Sequence, residues 1–261
     1  MAWMMPISGL LLLFAAAMLG GAVNSIAGGG SLVTFPVLVL AGLSPIVANA
    51  TNNLSMCVGT IGSISGYYQQ IKPHRQIVVR LALVSFVGSL IGAILLLTTP
   101  ETLFYRMVPF LILLAAVLFS AGPSLVRRFR HAEAAVVLSR WALLGQFVIA
   151  IYAGYFGAGQ GIATLALLTL IGMSHMHEMN GVKSFLSACT NGIAIIPFVI
   201  AGVIAWPQAL LMSVGAILGG FIGARLAKRV NPDRVRTAVL IFSYGMVAYF
   251  FWKVYLAPPQ G

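Results

Sequence analysis

Ten apolar runs punctuate the chain, at about 7–27, 31–43, 46–71, 77–98, 103–121, 139–157, 161–172, 180–203, 208–226 and 235–256. A membrane-spanning helix needs roughly 20 apolar residues, so most of these runs are predicted to be spanning helices. The runs at 31–43 and 161–172 are too short to cross easily. Each follows a glycine-rich break, Ala27-Gly28-Gly29-Gly30-Ser31 in the first half and Gly157-Ala158-Gly159-Gln160-Gly161 in the second. Glycine runs unwind helices, so each break is expected to join two helical pieces into a hairpin or a discontinuous span.

Composition agrees with that pattern. Hydrophobic residues make up 60% of the 261 positions and charged residues only 7%, with a mean hydropathy of +1.01. Soluble domains carry roughly 25% charged residues, so this chain cannot cover a water-facing surface. In lipid the backbone must satisfy its own hydrogen bonds, which requires helices here. No positive residue precedes the first apolar run, so that run is expected to be a retained helix and not a cleaved signal. Cys57 and Cys189 fall in apolar runs without metal-ligand spacing and are read as packing residues. No cofactor and no metal are expected.

The charge of +11 is a topology signal, with no nucleic-acid partner implied. Lys72, Arg75 and Arg80 lie in or beside one loop, and Arg127, Arg128, Arg130 and Arg140 in a second. Arg225, Lys228, Arg229, Arg234 and Arg236 flank a third. These are 12 of the 15 basic residues, and such loops face the cytoplasm. Counting spans between them leaves the first hairpin beginning and ending outside and the second beginning and ending inside. Both chain termini are predicted outside.

The halves also resemble each other. Gly42-Leu43-Ser44 matches Gly172-Met173-Ser174 at an offset of 130, and Gly88-Ser89-Leu90-Ile91-Gly92-Ala93 matches Gly219-Gly220-Phe221-Ile222-Gly223-Ala224 at 131. Pro100-Glu101 matches Pro232-Asp233 at 132. A duplicated unit with small insertions leaves such a drift. The predicted fold class is therefore an all-α polytopic membrane protein of two inverted-topology repeats, each a glycine-broken hairpin plus three spanning helices. Residues 1–124 form the first repeat, 125–138 a cytoplasmic linker and 139–261 the second repeat.

The candidate chemistry is sparse. Glu101, Glu133, Glu178 and Asp233 all fall in loops or at helix ends. Cation pumps place carboxylates within the membrane, so a cation substrate and a carboxylate-based hydrolase are both disfavoured. Lys183 stands near the start of its run, away from the basic loops, and Asn180, Ser184, Ser187 and Asn191 share its helix face. An ammonium, amides and hydroxyls beside a helix N-terminus suit an oxyanion; the competing reading has Lys183 snorkel to the interface and pair with Glu178 or phospholipid. Asn49, Thr51, Asn52 and Asn53 occupy the matching helix start, facing either the lumen or neighbouring helices through hydrogen bonds. Gly28, Gly29, Gly30, Gly159, Gln160 and Gly161 would present backbone N–H groups to an anion, or serve only as a bend. Gly88-x-x-x-Gly92 and Gly215-x-x-x-Gly219-x-x-x-Gly223 read as helix-packing faces. His175 and His177 read as loop histidines. Trp3, Trp206 and Trp252 sit near run ends, as interfacial anchors do.

Several of these segments together resemble the sulfite exporter TauE/SafE family over nearly the whole chain. They are Ala27-Gly28-Gly29-Gly30-Ser31-Leu32-Val33-Thr34-Phe35-Pro36, Gly42-Leu43-Ser44-Pro45 with Ala48-Asn49-Ala50-Thr51-Asn52, the echo at 157–161, and Asn180-Gly181-Val182-Lys183 with Asn191. The second break carries Gln160 in place of a glycine, and Ala166 stands where the family pattern has proline. The resemblance implies membrane transport, often outward, of sulfite or small organosulfur anions. The expected function is a secondary transporter in the inner membrane, exporting a small anion by alternating access. Its partners would be that anion and the lipid bilayer, and the sequence leaves homo-oligomer formation open. Import, a carboxylate substrate and a non-transporting assembly subunit are the alternatives; an enzyme is not expected.

Overall fold

The structure, a computed structural model, describes residues 6–26, 28–66, 71–129, 138–226 and 231–257. Trp3, Ala27, the core of the linker with Arg130 and Glu133, and Lys228 and Arg229 lie outside the described residues, as does the side chain of His177. The described residues form ten α-helices: α1 (Ile7–Ile26), α2 (Ser31–Leu40), α3 (Pro45–Gly66), α4 (Arg75–Thr98), α5 (Glu101–Phe129), α6 (Arg140–Tyr155), α7 (Gln160–Leu170), α8 (Met176–Ile200), α9 (Trp206–Leu226) and α10 (Pro232–Phe251). A 3-10 turn precedes α4 and a π turn follows α10. Six of them, α1, α4 with its leading turn, α5, α8, α9 and α10, are long and apolar enough to cross a membrane. The short runs after the glycine breaks become α2 and α7, of 10 and 11 residues.

Glycine makes the breaks. Gly28 and Gly29 (φ +71° and +104°), like Gly157 and Gly159 (+77° and +79°), adopt the left-handed backbone that side chains disfavour. The Gly28 N–H still reaches the Val23 carbonyl at 3.1 Å, and the Gly157 N–H reaches Tyr152 at 3.1 Å. These two bonds align the halves at an offset of 129, and the last residues of α1 and α6, Ile26 and Tyr155, agree with it. The turns at Gly42 and Gly172 (φ +93° and +97°) correspond at 130. The starts of α3 and α8, Pro45 and Met176, correspond at 131. The drift seen between short motifs therefore continues through the hydrogen bonding and helix boundaries.

Packing follows the same correspondence. Exchanging α1–α5 with α6–α10 turns the extensive pair α1 with α9 into α6 with α4, which is equally prominent. It turns α3 with α9 into α8 with α4, and leaves α3 with α8 and α5 with α10 paired with their own counterparts. Where α3 crosses α8, Cys57 Sγ lies 3.9 Å from the carbonyl of Ala188, its own counterpart at an offset of 131.

Small residues permit the closest of these crossings. A Cβ on Gly88 would lie 2.7 Å from the Phe147 carbonyl oxygen on α6, and one on Gly223 would lie 2.6 Å from the Ala22 Cα on α1. Both glycine faces are thus helix-packing surfaces, used alike in the two halves. Outward faces are apolar, with Leu11, Leu83, Phe86, Val214 and Phe221 exposed, whereas Asn49, Asn52, Gln146 and Gln208 are buried. That distribution inverts the soluble rule and marks a multi-pass membrane protein.

Two details differ from the sequence expectation. α5 runs to Phe129, past its apolar run and past position 124, because its final residues, Arg127 and Arg128, are good helix formers. α8 begins at Met176, four residues before its apolar run, while His175 stays exposed in extended backbone ahead of it and Glu178 lies at the helix end, both as the sequence leads one to expect.

Candidate functional site

A cavity of about 390 Å³ lies where the two breaks meet. The first break contributes Gly28, Gly29, Gly30 and Ser31, the second Gly157, Gly159, Gln160 and Gly161. α8 supplies Asn180, Lys183, Ser184, Ser187 and Asn191, the stripe that helical spacing places on one face. The wall is completed by Asn24 and Ser25 from the end of α1 and Met56 and Thr60 from α3. These last four were not singled out from sequence. Asn24 and Ser25 carried the one available signal, two polar residues closing an apolar run directly before a glycine break.

Lys183 spans the space between the breaks. Its stem lies against Gly161, where a Cβ would come within 3.3 Å of Lys183 Cδ. Its ammonium reaches the first break, with Nζ 3.9 Å from the Cβ position of Gly28. A side chain on Gly161 would therefore crowd the lysine. Among the described residues, Lys183 is the one charged side chain in the wall, and no carboxylate lines it. Glu178, the partner proposed for a snorkelling lysine, instead pairs with His74, Nε2 to Oε2 at 2.8 Å.

Hydrogen bonds orient the polar wall. Gln160 Nε2 donates to Asn191 Oδ1 at 2.9 Å, and Thr190 Oγ1 donates to Gln160 Oε1 at 3.1 Å. Asn191 uses its oxygen in this chain, which leaves its Nδ2 protons as the donors for the cavity. Ser25 Oγ donates to the Gly220 carbonyl at 3.0 Å, tying the rim to α9. The combination of one cation, amide donors and glycine backbone suits a small oxyanion, and among the described residues the wall lacks the carboxylates that hold cations within a membrane. Among the described residues no group of three His, Cys, Asp or Glu side chains comes together.

The first-half amides are placed elsewhere. Asn49, Thr51 and Asn52 do not line the cavity. Asn49 Nδ2 donates to the Tyr155 carbonyl at 2.9 Å, at the end of α6. Thr51 Oγ1 accepts from the Ala205 N–H at 3.0 Å, and Asn52 Oδ1 accepts from Thr34 Oγ1. All three are fully buried. In this conformation they hold helices together, the second of the two roles their spacing allowed.

An all-helical, multi-pass membrane fold with two broken hairpins around a shared polar cavity has the general plan of a membrane transporter. Residues 13–250 match the sulfite exporter TauE/SafE family, and the chain belongs to that family. It is 32% identical over 238 residues to the probable membrane transporter protein YfcA of Escherichia coli K12, covering 90% of this chain and 87% of that one. It is 28% identical to a probable membrane transporter protein of Haemophilus influenzae, covering 92% and 93%. No solved structure matches the chain. The family and these relatives carry the names of membrane transporters.

Proposed function

We propose that the protein exports a small oxyanion, sulfite or an organosulfonate, across the inner membrane by alternating access between two inverted repeats. One observation carries this reading: among the described residues, Lys183 is the single charged group in a cavity built from both glycine breaks. Lys183 supplies charge, while Asn180, Ser187 and Asn191 donate hydrogen bonds. The break glycines bring backbone N–H groups close without a side chain in the way. The basic loops orient the start of α8, and with it the cavity, toward the cytoplasm, leaving both termini outside.

An inside-negative potential of 100 mV favours loss of one negative charge by roughly 2.3 kcal/mol. Uncoupled efflux of a monoanion then runs downhill. Purified protein in liposomes loaded separately with sulfite, an alkanesulfonate, acetate or potassium chloride tests the reading. The expected result is faster release of the sulfur anions than from protein-free liposomes, increased by an inside-negative potassium diffusion potential. Release of acetate alone would replace the substrate, accumulation against the same potential would reverse the direction, and release of none would support a non-transporting subunit.

A further inference from the structure

The two halves match in sequence, hydrogen bonding and packing, yet the cavity uses them unequally. Among the described residues it is lined on α8 from Asn180 to Asn191, about three turns, and on α3 by Met56 and Thr60, one turn apart. The counterparts of Asn180 and Lys183 at the offset of 131 are Asn49 and Asn52, and both are buried in hydrogen bonds. Matching halves are thus used asymmetrically in this structure. Exchanging their roles defines a second arrangement.

Asn49 occupies the point where this exchange has a definite chemical consequence. Its amide donates to the carbonyl of Tyr155, the last residue of α6 before the second glycine break. The corresponding residue at the end of α1 is Ile26, and the residue corresponding to Asn49 is Asn180. Among the described residues Asn180 makes no side-chain hydrogen bond, and it stands in the cavity wall together with Asn24 and Gly28 of the first break. The other bonds at the closed end have no such pair. Thr51 and Ser55, which bond to Ala205 and Ala209, correspond to Val182 and Leu186, which have no hydroxyl. Asn52 corresponds to Lys183.

Resting on the alternating-access reading above, we propose that Asn49 and Asn180 are reciprocal gate latches. Asn49 closes one end of the transport path by binding the α6 terminus at Tyr155. When the protein turns over, that bond breaks, and Asn180 closes the opposite end by donating to the carbonyl of Ile26. Each glycine break supplies the free helix end that its latch takes hold of, since a residue in the left-handed backbone interrupts the ladder of carbonyl partners. The latches set which side is open, and in the conformation seen Asn180 is off its latch and stands in the cavity wall.

Site-directed labelling tests this without any substrate. In a Cys57→Ser, Cys189→Ser background, Asn53→Cys and its counterpart Ser184→Cys are probed with a membrane-impermeant maleimide, the first in intact cells and the second in inside-out vesicles. Asn49→Ala is expected to raise labelling at 53 at least threefold and to lower it at 184. Asn180→Ala is expected to do the reverse, and Asn49→Gln, which keeps an amide donor, to restore most of the parent pattern. Changes in the same direction at both probes, or none at either, would overturn the proposal, because a loosened fold raises both. Should Asn49→Ala fail to accumulate, the Asn180→Ala arm decides by its own opposite shifts. Reciprocal labelling in a protein that moves none of the tested anions keeps the latches and removes the substrate assignment. Anion export with unchanged labelling does the converse.

Discussion

Gln160 and Asn191 fix each other's orientation, and through it the chemistry that the cavity presents. Gln160 donates a hydrogen bond to Asn191 and accepts one from Thr190, which engages the Asn191 oxygen and leaves its Nδ2 protons as donors. Gln160→Ala removes both bonds and allows the Asn191 amide to turn. Such a change costs about 1–3 kcal/mol for polar groups left buried. The expected outcome is a lower Tm together with a five- to tenfold weaker anion affinity, read by thermal shift against anion concentration. Sequence spacing was enough to place Lys183 and its stripe on one face, because five polar residues on an apolar helix define a direction by themselves. It was not enough for Asn49, Thr51 and Asn52. Amides in an apolar helix must face protein or water, and a single chain's periodicity does not distinguish the two. Asn24 and Ser25 were passed over for a related reason, since polar residues at a run's end also suit a membrane interface.

Helices α1 and α9, like α4 and α6, approach as closely as their glycines allow. A Cβ on Gly92 would meet the backbone of Ile151 and one on Gly219 the backbone of Met18, neither of which yields as a flexible side chain does. Gly92→Ala and Gly219→Ala are each expected to destabilise by about 1–3 kcal/mol. Gly245→Ala, at a position with nothing within 4 Å of the new methyl, gains up to about 1 kcal/mol from helix propensity. Tm values of the three variants in one detergent check the contrast. A second element-scale device joins α5 to α10. Pro123 has no N–H, which leaves the Phe119 carbonyl without its helical partner. Arg236 donates to that carbonyl and, at 2.6 Å, to the carbonyl of Ser120. Phe119 in turn places its ring 2.8 Å from the Cβ position of Gly29 in the cavity wall. Arg236→Leu is expected to lower stability by about 1–3 kcal/mol and slow transport, measured by Tm and efflux rate. From sequence Arg236 belonged to a basic loop cluster. Its structural task depends on a proline more than a hundred residues away, and local pattern does not carry that information.

At the scale of the whole molecule, ten apolar runs became ten helices, and glycine breaks in corresponding places became the two sides of one cavity. The duplication was legible because it left ordered motif matches and charge bias in the loops. The partners were not, since hydropathy reports what faces lipid and not which helix lies behind. The exchange of α1 with α9 for α6 with α4 follows from where small residues meet across space. The proposed function joins these scales, in that a cavity shared by both halves would move an anion because Lys183 stands in it. The most direct test is efflux of sulfite, or of whichever anion the liposome screen selects, from proteoliposomes containing the parent protein, Lys183→Gln or Lys183→Arg. Lys183→Gln is expected to lose at least about tenfold in rate and Lys183→Arg to keep partial activity, both with Tm values near that of the parent. Undiminished efflux by a folded Lys183→Gln protein would contradict the proposed function.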